Sequence, residues 1–250
     1  MKFGIVGFGR FGHLWANLLL PFGDVFVYDK SVVQQPNASQ IKITSLQVVT
    51  QADVLFILVP ISEFEKSCLE IKELLHPSTL VVDCCSVKTH PVDVMRRVFP
   101  STQPLLATHP LFGPDSVKKI GGLVDHKIVI CPIQPDENNH NQLQIIFNKM
   151  GLNTLITTPE DHDRQMANSQ GLVHFIGRGL LALELCQQEL ATPDFKALLN
   201  INSMVANDTW QLFLDMHQYN PYVKEIRQKL IDQLITLDKK IAEAAHHVHS

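Results

Sequence analysis

Residues 107–114 read ATHPLFGP, an uncommon way to end an apolar run. Pro110 bars His109 from a helix and holds it extended, so a titratable ring stands where a strand stops. In open α/β sheets the carboxyl ends of strands are where ligands bind. A histidine there can take the proton of a hydroxyl while hydride leaves the same carbon, the chemistry of alcohol oxidation, and its ordinary pKa near ~6.5 suits the task. The alternative is a histidine that satisfies backbone groups in a turn closed by the following Gly-Pro.

Hydride chemistry needs an acceptor, and Gly7-Phe8-Gly9-Arg10-Phe11-Gly12 provides a place for one. This GxGxxG leaves an expected strand and opens an expected helix. In that setting the first glycine permits the tight turn, the second admits a pyrophosphate, and the third lets helix and strand pack closely. Asp29 ends the next strand, suited to accept hydrogen bonds from ribose hydroxyls and to repel a 2′-phosphate. The expectation is NAD, with Lys30 leaving room for NADP. A flavin site or a nucleotide-free remnant of the fold is the competing reading. Two further strand ends, VPIS at 59–62 with Pro60 and DCCSVK at 83–88 with Ser86 and Lys88, should line the same crevice. Ser86 could equally cap a helix, and Lys88 could be a solvated charge.

The elements that must hold these residues follow from the apolar pattern. Strands are expected at 3–8, 25–29, 41–44, 53–60, 80–86, 104–110, 127–132 and 153–158, with helices at 11–20, 62–75 and 137–150. Beyond Pro159 the strand pattern stops. Helical stretches fit 160–191, 193–206, 208–218 and 221–245, the first opened by Thr158-Pro159-Glu160-Asp161. The expected class is α/β: a Rossmann-type doubly wound sheet over 1–158, then an all-helical domain over 159–250. In the last helix Val223, Ile226, Leu230, Leu234, Leu237 and Ile241 form one stripe, read as either a core face or a subunit interface. The final HHVHS is expected to fray.

Composition narrows the partners. The chain has 250 residues, 45% hydrophobic, with a net charge of −4. That gives no basic footprint for nucleic acid, and no apolar run reaches membrane-spanning length. The five cysteines form no C-x-x-C pair, which suits reduced thiols in the cytoplasm. MKFGIVGFGRFG reads as a strand and turn and not as a signal peptide. No metal is expected: the Asp-His-Asp around His162 and Asp163 lacks a second ligand one turn on, and reads as capping and macrodipole chemistry. His174, among Leu172, Val173 and Phe175, faces either a cleft or the core.

GFGRFG at 7–12, D-x-x-S-V-K at 83–88, HPLFGPDS at 109–116 and HDRQM at 162–166 together resemble the prephenate and arogenate dehydrogenase family of tyrosine biosynthesis, from Met1 to about residue 180. The resemblance implies NAD-dependent oxidative decarboxylation of prephenate to 4-hydroxyphenylpyruvate, or of arogenate to tyrosine. It makes His109 the catalytic base on the ring hydroxyl, puts Ser86 within reach of that hydroxyl and the nicotinamide, and gives Lys88 a supporting role. It also implies that the helical half forms a homodimer and closes the substrate cleft. One departure stands out. Family members hold the ring carboxylate with an arginine on a helix of the second domain, and no arginine occurs here between Arg178 and Arg227. Alignment by the trailing Leu-Phe puts Gln211 at an expected arginine position, and an amide is a poor substitute for a bidentate guanidinium. Lys196, Arg178 or an arginine from another subunit are the substitutes considered. Competing functions are a β-hydroxyacid dehydrogenase, disfavoured because no lysine lies between Lys149 and Lys196, an imine or pyrroline-carboxylate reductase, and a catalytically silent NAD-binding homologue.

Overall fold

The computed structural model describes residues 1–31, 40–134 and 137–248. It divides into two compact units, Met1–His162 and Asp163–Ser250, four residues beyond the division expected at 158/159.

The first unit alternates strands and helices: β1 (Lys2–Val6), α1 (Arg10–Leu19), β2 (Asp24–Tyr28), β3 (Ile41–Ile43), α2 (Leu46–Val49), β4 (Val54–Ile57), α3 (Ile61–Ile71), β5 (Leu80–Asp83), α4 (Thr89–Val98), β6 (Leu105–Pro110), α5 (Pro114–Ile120), β7 (Lys127–Pro132), α6 (Glu137–Lys149) and β8 (Asn153–Ile156). The strands form one sheet in the order β3-β2-β1-β4-β5-β6-β7-β8. The central strands β4 and β5 are buried at every residue, whereas β8 at the edge is largely exposed. Unbroken apolar runs are what a parallel sheet covered on both faces requires. On one face α1 packs Trp15 against Phe56 and Phe147, with ring centroids 5.5 and 5.8 Å apart. That contact fixes where the glycine loop emerges.

Several features depart from the sequence expectations: α2 was not expected, and β5 ends at Asp83 and not at 86. β7 runs antiparallel to β6, with His109 opposite Val129, while β7 and β8 are parallel to each other. KIVICP carries no mark of this, because a strand buried on both faces looks the same in either direction. The Gly-Pro of HPLFGP is not a bare turn but a helix start. Gly113 is the N-cap of α5, Pro114 takes the first helical position, and Ser116 Oγ accepts from the Gly113 N–H at 3.0 Å.

The second unit is helical: the end of α7 (Pro159–Met166), a wider π-type turn at Ala167–Gly171, α8 (Leu172–Leu181), α9 (Pro193–Ala206), α10 (Trp210–Tyr219) and α11 (Val223–Val248). The helix expected over 160–191 stops at Leu181. Residues 182–190 are exposed throughout, so no buried face stabilises further turns. α9 then restarts on Thr192, whose Oγ1 accepts from the Phe195 N–H. α11 continues to Val248 where fraying was expected, and residues 249–250 lie outside those described. No described helix is long and apolar enough to cross a membrane.

Candidate active site

Strand register assembles the site. Tyr28, Val6, Ile57, Asp83 and Ala107 lie in one row across β2, β1, β4, β5 and β6. The residues just beyond that row are therefore neighbours along one sheet edge: Asp29, the glycine loop, Leu58 to Pro60, the 83–88 loop and His109. Strand order reverses between β1 and β4, the position where open α/β sheets bind ligands.

Each motif glycine has its own reason to be there. Gly7 sits at φ +101°, and a Cβ on it would meet the Leu58 carbonyl oxygen at 2.5 Å. A Cβ on Gly12 would meet the Gly7 carbonyl oxygen at 2.4 Å, which is the close helix–strand approach. At Gly9 a Cβ would meet nothing of this chain within 4 Å. That is the position where a side chain would fill the space a pyrophosphate needs, so the loop fits a dinucleotide.

Asp29 does more than await a ribose. Its Oδ2 accepts from the Phe8 N–H at 2.6 Å and its Oδ1 from the Ser31 N–H at 2.8 Å, so it braces the glycine loop. A carboxylate has about four acceptor sites, leaving capacity for ribose hydroxyls. The rings and charges of the loop are committed elsewhere. Phe11 packs on Trp15 and Phe112 at 5.5 and 6.3 Å, which leaves its backbone to face a cofactor. Arg10 Nη2 makes 2.8 Å contacts to both carboxylate oxygens of Asp115, at the start of α5. Pro60 is exposed and is the N-cap of α3.

The 83–88 loop closes on its own ends. Asp83 Oδ1 accepts from the Cys85 N–H at 2.7 Å, and Lys88 Nζ donates to Asp83 Oδ1 and Oδ2 at 2.6 and 2.5 Å. Lys88 also donates to the Thr108 carbonyl at 2.5 Å, while Thr108 Oγ1 donates to the Asp83 carbonyl at 2.7 Å. A solvated Lys88 is therefore corrected: both charges are fully buried. An ammonium enclosed in this way holds the 83–88 loop and the Thr108 carbonyl in place. Burial works against that ammonium, but Asp83 and Cys85 outweigh it and raise its pKa above the ordinary lysine value. Asp83 moves up too, because burial outweighs the pull of Lys88. Ser86 sits half-buried in the loop. Its reading as a helix cap is corrected, because the N-cap of α4 is Lys88.

The clamp on Thr108 fixes the next residue. His109 is 3% exposed, and its Nδ1 lies 2.9 Å from Nε2 of His162 on α7. Nε2 is thus the His109 nitrogen that remains to take a proton. Burial first, then His162 and Lys88, push its pKa well below the usual histidine value, so the ring is neutral near pH 7. The capping reading of His162 is corrected as well. It is 1% exposed and faces His109, while Thr158 Oγ1 caps α7 by accepting from the Asp161 N–H at 3.2 Å. Sequence reasoning missed Asp83, Thr108 and the His109–His162 pair. The available signals were an Asp and a Lys flanking a strand-end loop, and a second histidine after the last strand.

The substrate-side expectations fall in the second unit. His174 is buried on α8, with Nε2 3.7 Å from Asp208. Gln211 donates to Asp215 Oδ1 at 2.7 Å, one turn along α10. Arg178 donates to the Asp208 carbonyl and lies over the Trp210 and Phe213 rings at 5.5 and 5.9 Å. Lys196 is exposed.

Comparison with known proteins bears on this geometry. Residues 21–154, more than half of the chain, match the family described as prephenate dehydrogenase, nucleotide-binding domain. The glycine loop lies just before the matched stretch. Residues 180–250 match a TYRAAT1-like C-terminal domain. Arogenate dehydrogenase 1, chloroplastic, of Arabidopsis thaliana is 27% identical over all of this chain and 40% of its own length. The chain spans less than half the length of the first curated relatives it matches. Prephenate dehydrogenase of Aquifex aeolicus, solved with hydroxyphenyl propionate and NAD+, superposes with a TM-score of 0.76 at 19% identity, over 98% of this chain and 92% of that one. Synechocystis arogenate dehydrogenase gives 0.65 at 22%, over 97% and 93%. These two likenesses establish the fold.

Proposed function

The chain belongs to the prephenate dehydrogenase nucleotide-binding domain family, and on that premise we propose that it catalyses NAD-dependent oxidative decarboxylation of prephenate or arogenate. The observation that carries the reading is the single sheet edge shared by the glycine loop and a buried, neutral His109. Gly7, Gly9, Gly12 and Asp29 would hold the dinucleotide, which supplies the hydride acceptor when bound. His109 Nε2 takes the ring-hydroxyl proton as hydride leaves the same carbon. The oxidised ring then loses its carboxylate as carbon dioxide, driven by aromatisation, and no metal is needed. Ser86, half-buried in the loop held by Asp83 and Lys88, is the hydroxyl proposed to steady the reacting oxygen. The family match and a buried histidine at the sheet edge favour this over an imine reductase or a silent homologue. Steady-state assays with both substrates and both nicotinamide cofactors test it. NAD-dependent turnover of either substrate is expected, and turnover of neither would end the proposal.

We propose also that the chain acts as a homodimer, in the cytoplasm, where its five free thiols stay reduced. The α11 stripe divides. Val223 is buried against Gly171, whereas Leu234, Leu237 and Ile241 are 55–66% exposed. An apolar face of that length suits a second copy. Sedimentation should give a dimer at micromolar concentration, and a stable monomer would remove the claim.

A further inference from the structure

The family reading requires that His109 accept a proton, and it leaves open what ensures that the accepting nitrogen is bare. A neutral imidazole carries one proton on either of two nitrogens, and only the Nδ1–H tautomer leaves Nε2 free to act as a base. His109 Nδ1 lies 2.9 Å from His162 Nε2, with the rings at 70° and their centroids 5.1 Å apart. One proton lies between these two nitrogens, so their tautomers are coupled. If His162 Nε2 accepts, His109 is Nδ1–H and is a base. If His162 Nε2 donates, His109 carries its proton on Nε2 and can only donate to a hydroxyl.

From this geometry we infer that His162 is a positioning residue that accepts a hydrogen bond from His109 Nδ1–H and so holds His109 in its base-competent tautomer. The inference rests on the proposed role of His109 and adds the group that makes the role possible. The local chain supports it. His162 is set on α7 by a start that Thr158 fixes on both sides, accepting from the Asp161 N–H at its hydroxyl and from the His162 N–H at its carbonyl. His109 is set by the clamp on Thr108. Neither ring has to reorganise for the bond to form, and both are almost fully buried, where a misplaced donor costs most.

The reaction step balances on this arrangement. The substrate O–H bond breaks and an Nε2–H bond forms on His109, whose ring becomes an imidazolium. Its Nδ1–H continues to donate to His162 Nε2, which gives the new charge a dipole to face. A second positive ring at this distance, with the Lys88 ammonium also acting on His109, would oppose proton uptake, so the step calls for a neutral His162. Asp in the corresponding place would raise basicity further but would bury a third charge beside Asp83 and Lys88. A neutral acceptor avoids that.

The test is tautomer-resolved 15N NMR of the full chain labelled at histidine, near neutral pH, with turnover measured on His162→Gln and His162→Phe. Gln keeps an acceptor in its side-chain oxygen and Phe removes it. The expected spectrum of the wild type shows His109 protonated on Nδ1 and His162 bare on Nε2. His162→Gln should keep that His109 signal and most of kcat. His162→Phe should lose it and lower kcat by on the order of 10²-fold, the lower end of what a positioned base contributes, with the KM for the dinucleotide unchanged. Wild-type His109 protonated on Nε2, or a folded His162→Phe with unaltered tautomer and rate, would overturn the inference. If His162→Phe does not fold, the wild-type spectrum and His162→Gln decide it. A chain inactive on both substrates but with the Nδ1–H signal would remove the proposed reaction and support the tautomer lock.

Discussion

Two regions of the molecule bury histidines among charged groups, and they treat them oppositely. Around His109 the polar groups answer one another: Asp83 with Lys88, Lys88 with Thr108, and His109 with His162. In the second unit, Nδ1 of His174, both nitrogens of His217, Nε of Arg178 and Oδ1 of Asn202 are buried without a hydrogen-bond partner among the described residues. A satisfied network fixes where each proton resides, which is what a base requires. An unsatisfied one carries a desolvation cost of about 1–3 kcal/mol per group and fixes nothing. The first arrangement is what the proposed proton chemistry at His109 would need, and lowered histidine pKa values in both regions mean that acid should loosen the chain at each.

Removing the proposed base should have the largest effect. His109→Asn should lower kcat by roughly 10²–10⁴-fold, while calorimetric binding of NAD stays within a few fold, since the glycine loop and Asp29 are untouched. Near-full activity would reduce ATHPLFGP to a helix-start turn.

Next comes the clamp. Asp83→Leu leaves the Lys88 ammonium buried without its counter-charge, and should cost about 3–5 kcal/mol in denaturant unfolding. Adding Lys88→Met should restore most of that stability. It should not restore kcat, because the grip on Thr108 that positions His109 is gone. Recovery of both together would mean that the pair serves packing alone.

The smallest effect belongs to the second unit. Burial, helped by Arg227 and His174, lowers the His217 pKa to about 4. Above the unfolded value near ~6.5 the ring is neutral in both states and adds no protonation penalty. As pH falls from there towards 4, the unfolded chain takes up the proton first, so stability is lost progressively over that window. His217→Phe should blunt the decline of the thermal midpoint between those pH values. An unchanged decline would place the acid sensitivity elsewhere.

How much of this the sequence disclosed depends on range. The β1–α1–β2 unit and His109 were legible because glycine spacing and an X-Pro step act within a few residues. Thr158 as a helix start was legible for the same reason. The Asp83–Lys88 clamp was half visible: D-x-x-S-V-K stood out as a motif, but nothing local told a buried pair from a solvated lysine. The His109–His162 bond joins residues 53 positions apart, and the reversal of β7 is a matter of sheet assembly. Neither leaves a trace in local pattern. The α11 stripe was correctly seen as continuous, yet only the fold reveals that Val223 is covered and Ile241 is not.

The structure leaves His109 neutral near pH 7 and held in place by its surroundings, as the proposed base requires. The pH dependence of kcat/KM for the wild type and for His109→Asn, on whichever of prephenate and arogenate turns over, is the decisive measurement. Because burial, His162 and Lys88 all lower the His109 pKa in the free protein, wild-type kcat/KM should show no His109 decline as pH falls through ~6.5, the ordinary histidine value, and should lose that base only well below it. His109→Asn should lack that acidic decline. An acid limb centred at or above the ordinary value, or one that survives unchanged in His109→Asn, would contradict the account.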